Sequence, residues 1–178
     1  MPLEADVKTV RDYTVSRLQE IVNDPFSLFD SHLYVELRDL LVCRLTLFNA
    51  TRGGEPCRLS LCEWKDAEGS VWIDPGEVEK VDNALDKSLA KDIKIAYQTG
   101  KGNKHLVPVL YPDTVEPLKK IANEENRLAA GISQNNPYVF ASTQNSLYHV
   151  SGWHAVHSVC EKLELEKDIC LQLKIDTE

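Results

Sequence analysis

No apolar run in this 178-residue chain is long enough to span a bilayer. The longest, at 40–48, contains Arg44 and falls far short of the roughly 20 residues a spanning helix needs. Positive charge is also scarce. Twenty Lys and Arg stand against twenty-eight Asp and Glu, for a net charge of −8. That excludes nucleic-acid binding through bulk positive charge, but not a local basic site, because charge acts over a Debye length of about 10 Å. The N-terminus, Met1-Pro2-Leu3-Glu4-Ala5-Asp6, is acidic and has no apolar core of a secretory signal. The five cysteines, Cys43, Cys57, Cys62, Cys160 and Cys170, are odd in number, and several lie in apolar stretches where a thiol acts as a small hydrophobe. The expected location is intracellular, so the Asn49-Ala50-Thr51 sequon is discounted. Internal repeats and low-complexity tracts are missing as well.

What is present is an ordinary globular composition, 43% hydrophobic and 27% charged, which excludes wholesale disorder. Val7, Val10, Leu18, Ile21 and Val22 recur at helical spacing over 5–22, and Asn23-Asp24-Pro25 stops that helix. Leu33, Leu37, Leu40, Leu41, Leu45 and Phe48 mark a second helix. Val42, Cys43 and Leu47 fill its other faces, so it is expected to be central and buried. Gly53 and Gly54 end it, and Pro56 suits the first turn of a short helix carrying Leu59 and Leu61. Residues 63–92 hold nine acids against four lysines, a local net of −5, and read as a solvated insertion. Within it a strand is expected at 71–73 and one surface helix over 75–89.

A hairpin follows. Ile93, Ile95 and Tyr97 alternate with Lys94, Ala96 and Gln98, a glycine-rich turn spans 99–104, and 105–110 return as a second strand. Asp113 and Glu116 resemble a capping pair for a helix reaching about residue 129, with Leu118, Ile121, Ala122 and Leu128 on its apolar face. Residues 138–140 form a short apolar run. A last helix carries Leu147, Val150, Trp153, Val156, Cys160 and Leu163. His154, His157 and Cys160 share one face of it, but no cysteine pair supplies a fourth ligand, so these histidines read as packed and no metal is assigned. Trp153 reads as core.

Two segments carry chemistry together. Ala50-Thr51-Arg52-Gly53-Gly54-Glu55-Pro56 lies at a junction between helices, and Gly100-Lys101-Gly102-Asn103-Lys104 at the tip of a hairpin. Arginine binds the non-bridging oxygens of a phosphate in bidentate fashion. Neighbouring glycines let a nucleic-acid backbone approach, and a lysine on a hairpin reaches a phosphate or protonates a leaving oxygen. Between residues 93 and 110 there are three lysines and no acid.

At these residues the chain resembles the catalytic domain of the tyrosine recombinase, or phage integrase, superfamily. In that family a T-G-x-R-x-x-E-x-x-x-L junction supplies the first catalytic arginine. Arg52, Glu55 and Leu59 fit, with Asn49 and Ala50 in place of the threonine and glycine. The hairpin of Xer-like members reads G-K-G-N-K-x-R-x-V-P-L. Gly100 to Lys104, then Val107 and Pro108, follow it with one residue fewer between. The run from Arg44 to Glu55 looks most like the integrase-like domains of eukaryotic mobile elements, and the resemblance covers roughly 33–163. It implies an α+β fold, mainly helical with a small antiparallel sheet. It divides the chain into an N-terminal helix and linker (1–32), an integrase-like portion (33–165) with the acidic insertion at 63–92, and a tail (166–178). It makes Arg52 a phosphate clamp and Lys101 a general acid, and Gly53, Gly54 and Lys104 further contacts to duplex DNA. No cofactor is implied, and the location is nuclear if the chain is eukaryotic.

The family also requires an H-x-x-R box, a further His or Trp, and a tyrosine nucleophile near the C-terminus. No His here has Arg three places on, and Tyr148 is the last tyrosine. The 178 residues are therefore expected to correspond to the first two-thirds of such a domain, without its N-terminal DNA clamp, and not to cut DNA themselves. The second reading is a non-enzymatic module that uses the scaffold for protein partners, supported by the net charge and the acidic insertion. On the first reading the insertion is expected to loop away from the phosphate surface.

Overall fold

Ten consecutive residues of one helix, 37–46, are buried, so α2 (Ser31–Phe48) has no solvent face over that stretch. Such a helix must be covered on all sides, and α1 (Glu4–Asn23), α6 (Pro112–Ala122) and α8 (Gly152–Cys160) pack around it. The computed structural model describes residues 4–24, 29–49, 51, 54–99, 105–106, 108–143 and 145–165, with 105 and 106 in backbone only. The fold is α+β, mainly helical with short antiparallel strand pairs. No helix among the described residues is long and apolar enough to cross a membrane.

α1 and α2 lie where their periodicity places them. Val10, Leu18 and Ile21 of α1 are buried. The guanidinium of Arg17 grips the Glu36 carboxylate through two bonds, Nε to Oε1 at 2.7 Å and Nη2 to Oε2 at 3.1 Å. Asp30 caps α2 by accepting from the Leu33 N–H.

The apolar run at 138–140 is the second core element, with Val139, Phe140 and Ala141 fully buried. Its backbone bonds to both sides: Val139 N donates to Leu59 O, and Val150 N to Phe140 O. Burying an irregular segment requires partners for its peptide groups, and helix side chains supply several more. The Tyr34 hydroxyl donates to Val139 O and accepts from Ala141 N, both at 3.0 Å. Arg38 donates to Ala141 O. Arg127, from α7 (Glu124–Ala129), donates to the carbonyls of Asn136 and Tyr138. Burial lowers the pKa of Arg127 and raises that of Tyr34. Asp39 joins the set by accepting from Arg38 Nε and Ser158 Oγ, which fastens α8 to α2.

Several local expectations are corrected. Pro56 opens only a 3-10 turn, Pro56–Arg58; the helix that follows, α3 (Leu61–Glu68), starts at a capping box between Ser60 and Glu63. Residues 71–73 form no strand. They belong to the turn after α3, where Val71 and Trp72 are exposed. The expected single surface helix is two, α4 (Pro75–Glu79) and α5 (Ala84–Asp92), because Asp74 and Asn83 each start a helix by capping. Asp113 does not cap α6. Tyr111 holds that position, Pro112 fills the first turn, and Asp113 instead accepts from Arg44 Nε at 2.9 Å. The helix expected to reach 129 breaks at Asn123, whose side chain caps α7, and Leu128 is exposed. Leu147 and Val150 precede α8, since Val150 is taken into the pairing with Phe140. Trp153 is half-buried and stacks on His157 at 4.7 Å.

The hairpin is present as two short ladders. β1 (Lys94–Ile95) pairs with β4 (Val109–Leu110), and β2 (Gln98–Thr99) with β3 (His105–Leu106). Its phase is the opposite of the expected one at the tip-ward end: Ala96 and Gln98 are buried while Tyr97 is exposed. The aromatic ring goes outward to meet Trp72, centroids 5.1 Å apart.

Candidate nucleic-acid interface

Arg52, Gly53, Lys101 and Lys104 lie outside the described residues, so the structure gives the frame around them. Gly54 is described, and a Cβ built on it would meet nothing within 4 Å, so the space before it is open.

The arginine segment starts where α2 ends. Asn49 N–H donates to Leu45 O, closing the helix. The Asn49 side chain then turns to β4: its Oδ1 accepts from Val109 N at 2.9 Å and its Nδ2 donates to Val109 O at 3.1 Å. Just behind it, Arg44 pairs with Asp113 and its guanidinium lies over the rings of Phe48 and Tyr111. Thr51 N donates back to Thr46 O.

At the far end of the segment, the Gln98 side chain in β2 donates to Glu55 O. Gln98 is 1% exposed, an unusual burial for an amide that this bond explains. Next in sequence, Thr99 N donates to Glu63 Oε1 at 3.1 Å. The other oxygen of Glu63 accepts from the Ser60 N–H and hydroxyl, so both carboxylate oxygens are occupied by fixed donors. Asn49 and Glu55 flank Arg52 in sequence, and each is tied to the hairpin whose tip carries Lys101. The residues that flank the two motifs in sequence are therefore bonded to one another.

The acidic insertion does not loop clear of this hairpin. Trp72 covers Tyr97, and Lys94 Nζ donates to Ser70 Oγ at 2.6 Å. Because side chains alternate along a strand, Tyr97 faces the opposite way from Ala96 and Gln98. The insertion nevertheless touches the hairpin on both sides: Trp72 meets Tyr97 on one, while Lys94, in phase with Ala96 and Gln98, bonds Ser70, and Glu63 takes the Thr99 N–H.

Asn49, Gln98 and Glu63 are the supporting residues that sequence reasoning missed. Ser60-Leu61-Cys62-Glu63 carries the capping-box spacing and was open to that reading. Asn49 and Gln98 act through long-range backbone bonds that leave no local pattern. Among the described residues no three His, Cys, Asp or Glu side chains gather as a metal site. Comparison of the chain with protein-family models, curated proteins and solved structures finds no match in any of the three.

Proposed function

We propose that this chain is a DNA-binding domain of tyrosine-recombinase type, in which Arg52 and Lys101 hold one backbone phosphate. The observation that carries the reading is the bond from the Gln98 side chain to Glu55 O. It joins the segment bearing Arg52 to the strand leading into the turn of Lys101. Arg52 supplies the bidentate grip and Lys101 a point charge, with Lys104, Gly53 and the open space at Gly54 admitting the strand. In the complete reaction of such domains a tyrosine attacks the scissile phosphate, arginines stabilise the charge that develops, and the lysine protonates the leaving hydroxyl. These 178 residues hold no His-x-x-Arg sequence and no tyrosine beyond Tyr148, so the activity assigned to them is binding.

Fluorescence anisotropy with a labelled duplex at low salt tests the proposal. Weak, sequence-tolerant binding that falls steeply with salt is expected, reduced by Arg52→Ala and by Arg52→Lys, since a point charge cannot reproduce the guanidinium fork. A chain that binds no duplex at low salt, or binds equally well as Arg52→Ala, refutes it.

A further inference from the structure

α5 is a nine-residue helix in which no residue is buried. Helices this short are marginal on their own in water. Asn83 caps this one, and Lys87 and Lys91 both reach Glu79 of α4. Those lysines are one turn apart and define the face turned toward α4. At about 100° per residue, Leu85 and Leu89 fall on the opposite face, again one turn apart, and they are 75% and 44% exposed. Asp86 and Asp92 border them, exposed and without an ion pair among the described residues. Past the end of α5, Lys94 ties the turn bearing the exposed Val71 and Trp72.

This is an amphipathic helix with its apolar side uncovered, set in a segment of net charge −5. Charge narrows what can cover it. A nucleic-acid backbone, an anionic membrane surface and a second copy of this acidic chain each bring negative charge to negative charge. A cationic polypeptide supplies both the apolar contact and the complementary sign. We infer that the Leu85 and Leu89 face of α5 is a docking surface for a basic, amphipathic protein segment. The surface shares no residue with the proposed phosphate site and does not depend on it.

The test uses the full chain and two synthetic helical peptides of the same amphipathic order, one of leucine and lysine, one of leucine and glutamate. The lysine peptide is expected to bind, weaken with salt, and shift amide resonances around Leu85 and Leu89. Leu85→Ser with Leu89→Ser should weaken it by about tenfold or more, as loss of two leucine contacts implies. Both positions are exposed, so circular dichroism should be unchanged. Asp86→Asn with Asp92→Asn should also weaken binding and flatten its salt dependence. The inference is overturned if the lysine peptide does not bind, if the glutamate peptide binds as well, or if Leu147→Ser, exposed elsewhere, costs as much as the α5 pair.

Discussion

The Asn49 side chain closes a two-bond ring with the backbone of Val109, accepting the N–H at 2.9 Å and donating to the carbonyl at 3.1 Å. This ring ties the end of the central helix to the hairpin. A threonine, which the family resemblance places at this position, offers one hydroxyl where the amide presents separate donor and acceptor atoms. Asn49→Ala leaves two half-buried backbone groups unpaired and is expected to cost about 1–3 kcal/mol in denaturant unfolding. Unchanged stability would show that the ring contributes nothing.

Tyr34 does the equivalent work in the core. Tyr34→Phe removes the hydroxyl shared by Val139 O and Ala141 N, and is expected to destabilise by about 1–3 kcal/mol. Burial holds the phenol pKa above its ordinary value of 10.0. The folded state therefore keeps this proton more tightly than the unfolded chain. The resulting stability is complete below pH 10 and is lost as pH rises through the elevated value. The alkaline decline in stability should be shallower in Tyr34→Phe, and equal slopes would contradict this.

Helices were legible where a periodic face meets the core: Val10, Leu18 and Ile21 announce α1, and Leu37, Leu40, Leu41 and Leu45, with Val42 and Cys43 on other faces, announce a central helix. Roles fixed by distant partners were not. Asp113 looks like a cap in sequence because nothing local reveals Arg44, which takes its carboxylate. The hairpin was located but its phase was misread, because strand alternation favours Ile93, Ile95 and Tyr97 while Gln98 is drawn inward by Glu55 O. The Arg52 and Lys101 motifs stand out in residue order, but Arg52 and Lys101 themselves lie outside the described residues. The braces between them, Asn49 and Gln98, became visible only once the chain was folded.

Thiol reactivity separates the cysteines. Burial pushes the Cys57 pKa up to about 12, and Cys43 is buried too, whereas Cys62 is exposed on α3. Brief alkylation of the native protein should modify Cys62 well before Cys43 or Cys57, since reaction needs access and thiolate. Peptide mapping that finds Cys57 modified as fast as Cys62 would overturn the packing of the 3-10 turn.

Covalent chemistry on DNA is not expected from these 178 residues. Tyr34 is buried and bonded, and Tyr111 packs on Phe48, ring centroids 4.7 Å apart. Tyr148 is 75% exposed, but the sequence offers no His-x-x-Arg box to activate it. A nicked suicide duplex should give no denaturant-stable adduct. An adduct abolished by Tyr148→Phe would contradict this.

The salt dependence of duplex binding tests the shared phosphate site most directly. Each phosphate contact contributes about 0.9 to the slope of log affinity against log salt. Lys101→Ala should lower the slope by about that amount. The control is Lys8, exposed on α1, rather than Lys120, whose Nζ donates to Ile21 O and holds α1 to α6. Lys8→Ala should leave the slope unchanged. Equal losses at Lys8 and Lys101, or no change at Lys101, would mean diffuse attraction and would contradict a built site.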